Sequence, residues 1–289
     1  MASVKDLRLR IKSVGNIQQI TRAMEMVATT KLRRFQERAV ASRPYAEEIA
    51  GLVGHLAGVL GAELEGQPLF CAGGGERTAV LLVTSDRGLC GAYNSNLFAK
   101  LEQGIAGRDE SLLDFFVYGR KGYRYCARRG LCVARLFVDP RLEAIDFAGA
   151  ARTARTLVEA FLSGAYARVE VVYTAFESMV RYRPRWLDFL PVRAAGLEAG
   201  GSAGGDVILE PDAATIFARL VPRYLETRAY NALLESLTSE YASRRVSMKA
   251  ATDAATDMQK ALRGVYNRKR QESITTELLD IVGGAEALR

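Results

Sequence analysis

RYLETRAYNALLESLTSEYASRRVSMKAATDAATDMQKALR, residues Arg223 to Arg263, contains neither Gly nor Pro over roughly 40 positions, against about 11 to 12 residues for an average helix. Within and just beyond it, Leu234, Leu237, Tyr241, Met248, Ala251, Ala255, Met258, Leu262 and Val265 keep a three-four spacing, broken only where Arg244 and Arg245 fill the expected slot. That spacing predicts the seam of a left-handed coiled coil. A second stripe, Val4, Leu7, Ile11, Val14, Ile17, Met24 and Val27, opens the chain in a segment that reads helical to about Leu60, with a kink expected at Pro44. One helix enters the central region and the other leaves it, so if they pack together they run antiparallel.

Length excludes a single sphere. At 1.5 Å per residue, a helix from Asp212 to Ala287 would span on the order of 110 Å, whereas a compact globule of this size has a radius of gyration of about 19 Å. The C-terminal helix should outrun its partner by roughly 20 residues, about 30 Å. Its end carries a stripe of its own, Ile274, Leu278, Ile281, Ala285 and Leu288, out of phase with the seam before it. A different apolar face asks for a different cover: the central domain if the tail folds back, a second copy, or another chain.

Charge is placed unevenly. Residues 1–43 hold ten Lys/Arg against three Asp/Glu, equal to the whole net charge of +7. Lys31, Arg33, Arg34 and Arg38 form one basic band, and Arg268, Lys269 and Arg270 another. Either band reads as a solvated helix face, a phosphate contact or a surface for an acidic protein. Against nucleic acid, neither is interleaved with aromatics for base stacking. No apolar run reaches the ~18 residues of a membrane span, and the first 15 residues lack the hydrophobic core of a secretory signal. Cys71, Cys90, Cys126 and Cys132 form no C-x-x-C pair, and His55 is the only histidine. No metal site is therefore expected, and none of these residues by itself points to a cofactor or a catalytic role. The thiols point to a reducing compartment, where cysteine ordinarily serves as a small buried hydrophobe.

The middle changes period. Thr78–Thr84 is a continuous apolar run of the kind found in strands buried on both faces. Ser95–Gly104 reads as a helix, Asp114–Tyr118 as a strand, Arg120–Arg129 as a helix, Leu131–Val138 as a strand and Ala148–Leu162 as a helix. Arg168–Ala175 and Trp186–Val192 read as further strands, and Ala194–Gly205 as a flexible loop. Strands alternating with helices predict a parallel-rich layer structure. The fold class is α/β: a long antiparallel coiled coil of the N- and C-terminal helices (residues 1–65 and 207–289) plus a central Rossmann-like α/β domain (residues 76–205).

Such a domain raises an enzyme reading, because Gly-rich turns after first strands often cradle phosphates. Here the turn is Ser85-Asp86-Arg87-Gly88-Leu89-Cys90-Gly91-Ala92-Tyr93-Asn94. It matches neither G-x-G-x-x-G nor a P-loop. A turn built on Asp and Gly over a buried Cys is the expectation, and the domain reads as a platform.

Three separated motifs carry a family resemblance. Ile20-Thr21-Arg22-Ala23-Met24-Glu25-Met26-Val27-Ala28 with Lys31 and Arg43-Pro44-Tyr45 resembles the N-terminal helix of the γ subunits of F-type ATP synthases, and the turn from Ser85 to Asn94 resembles their first central turn. Met248-Lys249-Ala250-Ala251-Thr252-Asp253, Val265-Tyr266-Asn267, Arg270-Gln271 and the run from Ile274 to Ala285 are similar to the family's C-terminal segment.

What the resemblance implies is a non-catalytic rotor, one copy inside a 3:3 ring of α and β subunits. Its central domain would stand on the c-ring beside the ε subunit, at the cytoplasmic face of a bacterial plasma membrane that the chain meets only through the c-ring. Proton flow would turn the c-ring and shaft together. By the same resemblance Ile274, Leu278 and Ile281 turn in a sleeve at the top of the ring, and Arg270 and Gln271 meet a β subunit. Met24, Lys31 and Arg34 face the ring's acidic lower region, and Glu210, in the turn Leu209-Glu210-Pro211-Asp212, faces the c-ring. The regulatory insertion with two cysteines seen in plastid relatives has no counterpart in Ala194–Gly205, so thiol switching is not expected. A coiled-coil adaptor and a nucleotide-dependent enzyme are the other classes to separate from this one.

Overall fold

A computed structural model describes residues 3–179, 181–193, 210 and 212–286. The expected loop Ala194–Gly205 lies outside the described residues, as do Leu209, Pro211 and Leu288. Among the described residues five α-helices and five strands follow one another: α1 Val4–Leu60, β1 Arg77–Val83, α2 Tyr93–Ile105, β2 Leu113–Tyr118, α3 Arg120–Arg129, β3 Cys132–Phe137, α4 Phe147–Leu162, β4 Tyr166–Phe176, β5 Tyr182–Leu190 and α5 Ala213–Glu286. The chain divides into two compact units, one of residues 1–29 with 244–289 and one of residues 30–243. Both terminal helices contribute to each unit.

Local chemistry sets the helix ends. Ser3 and Asp6 form a reciprocal cap on α1, each side chain accepting the other's backbone N–H at 3.1 Å. Hydrogen bonding from the Ser3 backbone N–H first, and from its hydroxyl, holds the Asp6 carboxyl below the usual carboxylate range. Asp146 accepts from Gly149 N–H at 2.7 Å to start α4, and Asp212 accepts from Thr215 N–H at 2.8 Å to start α5. Gly130, in the left-handed region at φ 72°, ends α3. Pro44 lies inside α1, which continues to Leu60.

In the larger unit the sheet order is β3-β2-β1-β4-β5, with β3, β2, β1 and β4 parallel and β5 antiparallel to β4. Val80, Leu82, Leu113, Phe115, Val117 and Val172 face Leu97, Leu101 and Ile105 of α2 and Cys126 of α3. The opposite face takes α4, where the Tyr118 hydroxyl meets Thr153 Oγ1 at 2.7 Å. The last strand begins four residues earlier than the sequence pattern placed it and ends at Leu190. Pro184 hid its start: proline cannot donate to a ladder, but β5 is an edge strand and tolerates it.

Three buried carboxylates are matched with arginine. Asp114 takes both forks of Arg77 and accepts from Tyr166 Oη at 3.1 Å. Glu170 accepts from Arg108 at 2.7 Å and from the Trp186 indole at 2.8 Å. Glu226 pairs with Arg155 and Arg223. Within this unit the two terminal helices run antiparallel, since Phe35 stacks near Tyr241 and Ser42 Oγ reaches Asn231.

Candidate functional site

The smaller unit is a pair of antiparallel helical segments. Gly15 faces Gln259, Gln18 Nε2 donates to Thr256 Oγ1 at 2.7 Å, and the hydroxyls of Thr21 and Thr252 lie 2.8 Å apart. As the number rises on one helix it falls on the other. The face turned inward keeps heptad spacing: Leu7, Ile11, Val14, Gln18, Thr21 and Ala28 on α1, with Met248, Thr252, Ala255, Gln259 and Leu262 on α5. This corrects the seam expected from apolar residues alone. Ile17 and Val27 on one stripe, and Met258 and Val265 on the other, are about half exposed, at 50%, 55%, 56% and 49%.

The reason is size and hydrogen bonding. Gly15, Ala28 and Ala255 let the helices approach closely, and the inward hydroxyls are satisfied. Thr21 reaches Gln18 O, Thr252 reaches Met248 O and Thr256 reaches Thr252 O. Polar groups fill the middle of the seam while Leu9, Ile17, Ile20, Met26, Val27, Met258 and Val265 are exposed. Sequence reading missed these outward residues because it followed hydrophobicity. The signal was there in the small and polar heptad positions 15, 18, 21, 252, 255 and 259.

Ile274, Leu278 and Ile281 are exposed at the end of α5, with Leu279 and Val282 beside them. Arg270 and Gln271, just before, are exposed as well, while Lys269 is held by Glu272 at 2.8 Å and draws that carboxyl below its usual range. Met24 is half-buried on α1. Of the first basic band, Lys31 in the larger unit is turned onto its own domain, with its ammonium on the Glu143 carboxylate and 5.6 Å from the centre of the Tyr241 ring. Arg38 donates to the Ile145 carbonyl at 3.3 Å, and Arg34 is exposed. Glu210 is exposed and borders a shallow recess with Thr215, Ile216, Arg219 and Leu220.

The turn after β1 is held by its own side chains. Asn94 accepts from Ser85 N–H at 3.2 Å and donates to Ser85 Oγ at 2.7 Å and to Cys90 Sγ at 3.3 Å. Asp86 accepts from Arg120 N–H at 3.0 Å. Leu89 and Gly91 adopt φ of 62° and 56°, the left-handed values a tight turn needs. In an open α/β sheet, ligands bind at the carboxyl ends of the strands where the order reverses, here between β1 and β4. That crevice is occupied by α5. Beyond the last β1–β4 pair, Leu82 with Val172, Thr174 donates its N–H to Ser236 Oγ at 3.0 Å, and its carbonyl accepts from Ser239 Oγ at 3.2 Å. One turn on, Ser243 Oγ donates to the Cys90 carbonyl at 2.6 Å. Tyr93 is buried beside them, where burial pushes its phenol far up.

The cysteines follow the sequence expectation in part. Cys90 and Cys126 are buried, and burial pushes the Cys126 thiol up to about 12. Cys132 is exposed on the outer strand, and its hydrogen bond with Asp114 raises its pKa.

Comparison with known proteins agrees with this architecture. A family model described as ATP synthase matches residues 3–288. The ATP synthase gamma chain of Chlorobium luteolum is 37% identical over 295 residues, covering all of both chains. That of Cytophaga hutchinsonii is 39% identical over 300 residues, covering 100% of this chain and 99% of the relative. In a cryo-EM structure of the Euglena gracilis mitochondrial ATP synthase (OSCP/F1/c-ring), one chain superposes with a TM-score of 0.67 at 19% identity, covering 99% of this chain and 94% of that one. In the Tetrahymena thermophila central stalk and c-ring, a chain superposes with a TM-score of 0.60 at 24% identity, covering 80% and 99%. With the family model spanning both helical ends and the central sheet, and gamma chains 37% and 39% identical to it over the full length, the chain belongs to the ATP synthase gamma-chain family.

Proposed function

We propose that this chain is the central rotor stalk of a proton-translocating F-type ATP synthase: one copy within a ring of three α and three β subunits, its central domain beside an ε subunit on the c-ring. The observation that carries the reading is the smaller unit's outer surface, where Leu9, Ile17, Ile20, Met26, Val27, Met258 and Val265 are exposed among charged residues while Gln18, Thr21, Thr252 and Gln259 take places in the seam. A helix pair that stood in water would turn more of those apolar side chains inward. Exposed apolar side chains along the pair and at the end of α5 fit a shaft enclosed by other chains, where weak non-directional contacts let the angle change without breaking hydrogen bonds.

Torque then has an equilibrium description. Each shaft angle stabilises one set of β-subunit conformations over the others, and work passes through that difference alone. Arg270 and Gln271, exposed beside the apolar end, supply charge-assisted hydrogen bonds to a β subunit that favour certain angles. Met24 and Arg34 meet the lower ring. Lys31, held by Glu143, contributes first to fixing α1 on the central domain within the larger unit.

A non-catalytic role is supported by the crevice at the carboxyl ends of β1 and β4, which holds the serines of α5 in place of a nucleotide. Chemistry belongs on the β subunits. Among the described residues no helix is long and apolar enough to cross a membrane, and attachment at the cytoplasmic face of a bacterial membrane runs through the c-ring. Glu210 is the residue proposed to face it.

Removing Gly264 to Arg289 tests the shaft end. The shortened chain is expected to retain its central domain, read from the fluorescence of its single tryptophan, and to lose ring assembly or most torque under load. A truncated chain that assembles and turns a loaded rotor normally removes the end's proposed part.

A further inference from the structure

The two edges of the sheet are protected differently. On β5, Pro184 withholds an N–H, and Arg181 and Arg185 are paired with Glu177 at 3.0 and 3.4 Å. On β3 the outer side of the backbone has no partner among the described residues: it pairs with β2 alone. Its residues are exposed or half-buried throughout, where β1 and β2 are mostly buried. It is an open edge, guarded among the described residues by a register shift at Ala134 and by the charge of Arg135.

Arginines stand on both sides of this edge. α3 lies over β2 and β3. Tyr125 and Arg129 mark the flank of α3 that meets α2, through the stack on Phe98 at 4.0 Å and the bonds to Glu102 at 2.9 Å. Tyr123, two positions back, is turned about 160° round the helix, toward the outer edge. It is exposed there, with Arg120 and Arg124 exposed next to it. On the opposite face Arg135 covers Phe137, which stacks on Tyr118 at 4.8 Å. Arg152 of α4 is exposed on that same face. Arg120, Arg124, Arg135 and Arg152 have no carboxylate partner among the described residues.

We infer that the β3 edge docks an extended acidic segment of another polypeptide, which adds a strand beside Cys132–Phe137 while its carboxylates reach Arg120 and Arg124 on one face and Arg135 and Arg152 on the other. Main-chain hydrogen bonds supply the docking and alternate side chains the selectivity. A second copy of this edge is excluded as occupant by its own charge, because like guanidinium groups would face one another across the new pair. The inference does not depend on the rotor reading.

The test mixes the full chain with a fluorescent peptide of alternating Glu and Val and reads anisotropy together with backbone amide exchange. Exchange across residues 132–137 is expected to slow, and binding to weaken as salt screens the pairs. Placing Pro at the centre of the peptide is expected to abolish binding, and Arg124→Glu with Arg135→Glu to weaken it by about tenfold. Both substitutions lie at exposed side chains, and unchanged Trp186 emission checks that the domain has kept its fold. The inference is overturned by no binding at low salt, by binding that leaves 132–137 exchanging as before, by equal binding of the proline peptide, or by a Lys/Val peptide that binds as well.

Discussion

Asp114 shows how much one side chain holds together. It joins the first residue of β1, the first of β4 and its own strand, through Arg77 and Tyr166. The Arg77 hydrogen bonds are the largest cause holding its carboxyl below the ordinary carboxylate value, against the opposing pull of burial. Since the folded pKa is depressed, the stabilisation is complete above the ordinary value of 3.8 and is lost as pH falls through the lowered one. Asp114→Asn is expected to destabilise the central domain by about 1–3 kcal/mol at neutral pH, and by progressively less in denaturant titrations below pH 3.8. A penalty independent of pH would assign the effect to packing instead. None of this was legible in the sequence, where Arg77 and Asp114 are 37 positions apart and belong to separate strands.

Elements were legible where hydrophobic period was unambiguous, and less so where polar or special residues decided. β1 and β2 were read from continuous apolar runs, since parallel strands covered on both faces leave no polar alternation. β5 was read short because of Pro184. Gly104 is a quieter case: it ends the helix expected over Ser95–Gly104, yet it lies within α2 and a Cβ there would lie 2.2 Å from the Trp186 ring. Gly104→Ala should therefore cost about 1–3 kcal/mol by overpacking, although Ala is the better helix former by roughly 1 kcal/mol. The Trp186 emission, from the only tryptophan, should shift with it. A stabilised variant would mean that the ring moves aside freely. The polar seam of the smaller unit allows a similar test. Thr256→Val removes the acceptor of Gln18 and is expected to cost about 1 kcal/mol, whereas adding Gln18→Leu should recover most of it. Amide exchange across residues 4–28 reads both; a double variant as weak as the single one would show that the seam needs its hydrogen bonds.

At the scale of the whole chain, the broad plan of two long terminal helices around an α/β centre followed from length and period alone. Which helix faces turn inward did not, because small and polar residues at heptad positions can pack as closely as apolar ones when Gly15 and Ala255 lie among them. The candidate site was legible in its exposed end, Ile274 to Ile281, but not in Lys31, whose partner Glu143 lies 112 positions away. The filled crevice between β1 and β4 was equally out of reach, being made by serines of α5 that meet the sheet only in three dimensions. On the proposed rotor reading, the exposed apolar side chains of the smaller unit and of the end of α5 meet a sleeve of other chains. The direct measurement is reconstitution of this chain with α and β subunits, with the ring fixed to a surface and a bead fixed to the central domain. The account predicts one copy per ring and stepwise turning of the bead when ATP is supplied. More than one copy per ring, or steady ATP hydrolysis by the assembled complex while the bead does not turn, would contradict it.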